Sequence, residues 1–340
     1  MDRKQVIFFA VLFLLSALLQ VQAKELKIAT VAPDGSSWMQ EMRRGAGEIA
    51  ERTQDRVTFK FYPGGIMGDE KNVLRKIRVG QLHGAALTTS GLSRIYPENQ
   101  IYGLPLKFET YEEVDYVRAR MDAGIIKGLE ERGFVAFGLG EGGFVYIMSQ
   151  VPVHRISDLK DQRVWLPEGD TISLAVMDVA GISPVTLPLT DVLTGLQTGL
   201  ITTIGSTTSF AIALQWHTKI KYLTETPLFY AYGTFVIQRK AFNKLNQTDQ
   251  AVVREVLGRV VEKLNQQTRK DNESAKQALL NQGVKLINPS EQDMEELRQV
   301  SSDAIKALAK ERVYTPEMLE TVNSHLEALH ENKATTTQKK

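Results

Sequence analysis

An internal echo constrains the fold of this chain more than any other feature of its sequence. Val73-Leu74-x-x-Ile77-x-x-Gly80-Gln81-Leu82 is matched in kind by Val192-Leu193-x-x-Leu196-x-x-Gly199-Leu200-Ile201. In each copy, apolar residues at helical spacing end on a glycine, which takes the left-handed conformation after a helix without a Cβ clash. A short strand follows each, Gly84 to Leu87 and Ile201 to Ile204. Each strand runs into small hydroxyl-bearing residues, Thr88-Thr89-Ser90-Gly91 and Gly205-Ser206-Thr207-Thr208-Ser209. Ligands in open α/β sheets sit at the carboxyl ends of strands. Two such units predict two similar lobes that share a cleft, with coincidence of a common helix–Gly–strand unit as the bland alternative.

The flanking sequence supports an α/β class with largely parallel pairing. Leu26 to Val31 and Val57 to Tyr62 alternate as strands. Between them Ser36 or Ser37 can cap a helix with a buried stripe of Met39, Met42, Ala46, Ile49 and Ala50. Asn246 to Gln282 reads as one long helix with an apolar stripe from Val252 to Leu264. Ser290 to Ala309 reads as another, capped by Ser290 with Asp293 in its first turn. The expected organisation is one lobe over 24–145, with part of 235–330 returning to it, and a second over 146–234. A long connecting helix then covers 246–282 and a flexible tail 331–340.

Residues 1–23 read as a cleaved signal peptide. Arg3-Lys4 gives a positive start, Val6 to Leu19 is apolar but too short to span a bilayer, and Val21-Gln22-Ala23 resembles a cleavage site. The expected location is the periplasm, with no membrane anchor.

Composition excludes several classes of chemistry. Asp2, Arg3 and Lys4 are the only charged residues among the first 23, so 39 of 41 Lys+Arg and 39 of 40 Asp+Glu remain, a net charge of zero. A nucleic-acid binder needs a basic surplus. With Cys 0, no disulfide, thiolate metal site or thiol nucleophile exists. The five histidines are scattered without metal-ligand spacing, and no cofactor or catalytic constellation is evident. Gly138-Leu139-Gly140-Glu141-Gly142-Gly143 fits G-x-G-x-x-G, but the strand-like Phe144-Val145-Tyr146-Ile147-Met148 follows where a dinucleotide site needs a helix. These glycines read as a hinge or crossover between two strands. Ser157-Asp158-Leu159-Lys160 fits S-x-x-K but reads as a turn.

Several segments resemble one family in order along the chain. They are Phe61-Tyr62-Pro63-Gly64-Gly65-Ile66-Met67-Gly68-Asp69-Glu70, Tyr102-Gly103-Leu104-Pro105-Leu106, Ser157 to Lys160 leading into Val164-Trp165-Leu166-Pro167, and Pro188-Leu189-Thr190-Asp191-Val192 leading into Leu196-Gln197-Thr198-Gly199. The similarity, from about Leu26 to about Ile287, is to dicarboxylate-receptor-type solute-binding proteins of tripartite ATP-independent periplasmic (TRAP) transporters. The resemblance implies two α/β lobes joined by crossing strands and a long helix. They would close over one small organic solute and deliver it to membrane permease subunits. It also implies an Arg, forked onto the substrate carboxylate, where this chain has Trp165. A second basic position falls near Val145, and an Asn position is filled by Ser206. The carboxylate clamp is therefore expected to be lost.

The expected ligand contacts are Thr88, Thr89 and Ser90 from one lobe and Trp165, Ser206 and Thr207 from the other. Trp165 would offer a stacking face. Trp38 is either a cleft residue or the start of a helix's buried face. Glu141, flanked by glycines at the crossover, is a ligand or hinge contact. The expected solute is a carboxylate held by backbone N–H groups, or a partly aromatic or apolar compound. Two competing readings are a loaded adaptor that docks on a sensor protein and, less in keeping with the missing nucleophile–base pairs, an enzyme on the same scaffold.

Overall fold

The computed structural model describes residues 23–337. Residues 1–22 of the expected signal peptide lie outside the described residues, as do 338–340. Strand β1 (Lys24–Ala29), helix α1 (Ser37–Arg52), β2 (Val57–Tyr62), α2 (Glu70–Arg78), β3 (Gly84–Thr88) and α3 (Thr89–Ser93) open the first lobe. Helix α4 (Tyr111–Glu131) leads to β4 (Phe134–Ala136) and the long β5 (Gly140–Ser149). The second lobe holds β6 (Trp165–Pro167), α5 (Thr171–Ala180), β7 (Val185–Leu187), α6 (Val192–Thr198), β8 (Thr203–Ser206), α7 (Thr208–Ala213) and β9 (Tyr222–Thr224). Strand β10 (Phe229–Gln238) returns to the first lobe. Helices α8 (Arg239–Phe242) and α9 (Gln247–Asn281), strand β11 (Lys285–Ile287), and helices α10 (Glu291–Lys310) and α11 (Pro316–Thr337) complete the chain.

Both copies of the echo take the expected form. Val73 and Ile77 of α2 and Val192 and Leu196 of α6 are buried, and Gly80 and Gly199 follow them at φ +77 and +74. The second strand starts two residues later than expected, at Thr203. In the first helix Ser36 is the cap and accepts from the Met39 N–H. Gly45, rather than Ala46 or Ala50, is its fully buried small residue. A Cβ there would lie 2.7 Å from Val260 of α9, so glycine sets how closely the two helices approach.

Two strands belong to both lobes. β5 pairs with β10 up to Val145 and then, from Tyr146, with β8 and β9. β10 pairs with β5 up to Gly233 and from there with β3 and β4. β1 lies between β2 and β3 in parallel, while β6 and β7 form a small parallel pair bridged to β8 through Val164 and Thr203. Gly140, Gly142 and Gly143 are thus inside the crossing strand, a correction to the expectation of a link between two strands. Close strand approach explains them: a Cβ on Gly142 would sit 2.7 Å from the Ala231 carbonyl, next to the bulge in β10.

Helix α9 has 35 residues and so is about 52 Å long. It lies on α1, β5 and α7. Val253, Val256, Leu257 and Val260 pack in the first lobe's core and Leu279 in the second's. The expected flexible tail is corrected through residue 337. There α11 continues as helix, because Val322, Leu326 and Leu329 pack beside α4 while Glu112 and Glu113 pair with Lys333 and His330.

Candidate functional site

A cavity of about 890 Å³ lies where β5 and β10 cross between the lobes. That volume is near the top of the range of about 300–1,000 Å³ usual for small-molecule sites. All eight residues nominated from sequence line it. Trp38, Thr88, Thr89 and Ser90 come from the first lobe, Glu141 from the crossing strand, and Trp165, Ser206 and Thr207 from the second.

The echo extends further than the sequence revealed. Each strand leads into a threonine that caps a short helix: Thr88, the last residue of β3, accepts at Oγ1 from Gly91 N–H at 3.2 Å, and Thr207, just after β8, from Phe210 N–H at 3.4 Å. Thr89 and Ser90 are consequently the first helical residues of α3. Glu70, at the start of α2, fixes the first cap, accepting from the Thr88 N–H at 2.7 Å and from its hydroxyl at 2.8 Å. Burial pushes the Glu70 carboxyl up, while the Thr88 bonds pull it down by less. The folded protein then holds this proton to higher pH than the unfolded chain. The associated stability is complete below the ordinary carboxylate range and is lost as pH rises through the raised value. Glu70→Gln is expected to remove this slope. In urea melts from about pH 4 to about pH 8, the variant should gain on the wild type as pH rises; a constant difference would contradict the assignment.

The other nominated groups are mostly engaged already. The Ser206 hydroxyl donates to the Thr207 carbonyl at 3.0 Å. Trp165 is only 3% exposed, packs edge-on against Trp216 at 5.3 Å and donates its Nε1–H to the Leu187 carbonyl at 2.9 Å. It is a core tryptophan with one border on the cavity, so the expected free stacking face is corrected. Trp38 is half-buried and packs on the first lobe's core while also facing the cavity, so both readings hold. Glu141 sits inside an ion network. Oε2 lies 2.9 Å from Arg269 Nη2 and 3.6 Å from Arg118 Nη1, and Arg269 also grips Asp115. Burial raises the Glu141 carboxyl, and the two guanidiniums oppose it.

Glu141 Oε1 is buried without a hydrogen-bond partner, so one nominated group stays open, while sequence reading missed two others. Thr203 Oγ1 and Ser301 Oγ are buried, line the cavity and have no hydrogen-bond partner. One signal was available for Ser301: it falls at helical spacing among Met294, Leu297, Ala304 and Leu308, a polar residue on an otherwise apolar stripe. In the local sequence Arg118 shows only as an i,i+4 partner of Asp122, and nothing there marks its bond to Tyr230 or the pairing of Arg269 with Glu141, both across more than a hundred residues.

The lobes meet at the mouth of the cavity. Ser93 Oγ donates to the Gly169 carbonyl at 2.9 Å, Gln100 Nε2 to Thr171 Oγ1 at 3.0 Å, and Arg94 pairs with Glu168 at 3.2 Å. Gly169 has φ +88, and a Cβ on it would lie 2.7 Å from the Ser90 carbonyl. Among the described residues no cluster of His, Asp or Glu could hold a metal ion, and no helix is long and apolar enough to cross a membrane.

Comparison with known proteins agrees with this architecture. The chain is 20% identical to the sialic acid-binding periplasmic protein SiaP of Vibrio cholerae over 90% of this chain and 93% of SiaP. It is 23% identical to the 2,3-diketo-L-gulonate-binding periplasmic protein YiaO of Escherichia coli over 60% of this chain and 63% of YiaO. The chain matches only 48% of the length of the uncharacterized protein YiiZ of Salmonella typhimurium, and the aligned part, 45% of this chain, is 24% identical to it. Many solved structures share the fold. The sugar acid binding protein DctPAm of Advenella mimigardefordensis, in complex with galactonate, superimposes with TM-score 0.83 at 18% identity over 90% of this chain and 99% of that one. A TRAP periplasmic solute binding protein of Haemophilus influenzae with bound L-gulonate gives 0.82 at 19% identity over 89% and 99%. Residues 28–312 match the family described as bacterial extracellular solute-binding protein, family 7, and the chain belongs to that family.

Proposed function

We infer that this protein is a periplasmic receptor that closes two lobes around one small organic solute and passes it to the membrane subunits of a TRAP-type transporter. One observation carries the reading: the cavity lies where β5 and β10 exchange partners, so bending these two strands opens and closes it. On this reading the lobe boundary falls between Val145 and Tyr146 on the way out and at Gly233 on the return. The positive, apolar amino terminus suits export, and the bound sugar acids of the structural relatives suit a small organic solute. Capture without chemistry is the reading that membership of a solute-binding family supports.

A thermal-shift screen against a metabolite library identifies the solute, because a ligand at about a hundred times its Kd adds about 2.7 kcal/mol of stability. Small-angle scattering of the empty and loaded protein then tests closure; identical curves would refute the reading. Gly169→Ala tests the closing contact. Its Cβ would press on the Ser90 carbonyl only when the lobes meet. Overpacking of this kind costs about 1–3 kcal/mol, so affinity is expected to fall roughly five- to a hundredfold as the open form gains. Unchanged affinity in titration calorimetry would show that the mouth contact takes no part in capture.

A further inference from the structure

The cavity continues past the cleft into the interior of the second lobe. There it is walled by Val153, Ile156, Leu166, Val176 and Met177, side chains that belong to one apolar cluster beneath α10. At this end the Ser301 hydroxyl, on a residue only 3% exposed, has no partner, and Thr203, 1% exposed and also unpartnered, lies on β8 between the cleft and this annex. A buried hydroxyl without a partner costs stability, so each is suited to a group that the empty protein does not supply.

Charge along the wall narrows that group. Glu141, Asp170, Asp271 and Asp293 face the cavity, against Arg155 and the exposed imidazole of His154. Arg155 pairs with Asp158 at 3.3 Å, and the guanidiniums behind Glu141 are held by Glu141, Asp115 and Asp122. Among the described residues no lining cation lacks a carboxylate partner. An anion entering here would be stripped of water without a counter-charge. Among the described residues the carboxylates form no cation-binding cluster either, and Glu141 Oε1, buried without a partner, can accept from a donor group on the solute. Asp170 accepts from the Ser173 N–H, Asp271 from Ser37 and Gln267, and Asp293 from Ser290.

We propose that the cavity takes an uncharged solute whose apolar arm fills the annex of the second lobe and whose hydrogen-bonding groups meet Thr203 and Ser301. This rests on the receptor reading and names the chemical class of its solute. The test uses calorimetry on the purified protein with the alkanamides from hexanamide to decanamide, the matching carboxylates and alkylamines, and galacturonate. Amide affinity is expected to rise about fourfold per methylene, the transfer free energy of one CH₂, until the annex is full, with the charged series far weaker. Val176→Phe, which fills the annex, should abolish the gain with chain length. Ser301→Ala should weaken the amides about five- to tenfold while leaving the empty protein equally or more stable, because it removes an unpartnered hydroxyl. A merely structural serine would not give that opposition of sign. Tighter binding of carboxylates, alkylamines or galacturonate than of amides overturns the inference and leaves the receptor reading standing. Absence of amide binding overturns it as well, and closure by scattering still judges the receptor reading separately.

Discussion

Truncation of Arg118 to alanine is expected to destabilise the protein by about 3–5 kcal/mol, the cost of leaving buried partners of a charge without it. The side chain leaves α4 and reaches the crossing strands. Its Nη1 donates to Tyr230 Oη at 2.6 Å and its Nη2 to the Leu139 carbonyl at 2.7 Å and to Asp122 at 2.9 Å. Glu141 is 3.6 Å away. Alanine would strand a phenol and part of two carboxylates at the point where β5 starts, and leave the Leu139 carbonyl with Asn265 as its remaining donor. The measurement is the urea midpoint, with the slope unchanged if the unfolded state is unaffected. A loss under about 1 kcal/mol, the range of exposed pairs, would show that water reaches this network.

Trp165→Ala is expected to cost a similar amount, about 3–5 kcal/mol, as large-to-small changes in well-packed cores do. The indole supports Trp216, which in turn meets Phe210 edge-on at 5.5 Å, and these three rings fill the second lobe beside the cavity. Trp165→Phe keeps most of the packing and loses the bond to Leu187, a cost of about 1 kcal/mol. If Trp165 served only as a wall for solute, alanine would weaken binding and leave the unfolding free energy intact. The packing predicts the reverse order of effects, with stability lost even in the empty protein.

The contrast between these two residues explains what the sequence disclosed. Repeated local grammar was legible: the echo of helix, left-handed glycine, strand and hydroxyl gave two lobes and put Thr88 and Thr207 on one cavity. The order of four motifs gave the family. What stayed hidden was long-range. Trp165 reads as a cleft residue in a strand, and only Trp216, 51 positions later, makes it core. Arg118 shows as one more charge on a helix until Tyr230 arrives from the return strand. The annex was invisible for the same reason, since only the packing of α10 on α5 brings Ser301 and Val176 to one cavity. The tail was misread because its composition is polar, while its anchors, Glu112 and Glu113, lie more than two hundred residues upstream.

Helix α9 carries Asn265, Arg269 and Asn272 at spacings of four and three, on a single face. They hold, in turn, Leu139 and Glu141, Glu141 again, and Gly142. The rear of the molecule is thereby splinted, in the manner of a book whose spine is rigid and whose covers swing. A spin-label pair straddling Arg94 and Glu168 would record the full excursion, while a pair placed along the spine would register almost none.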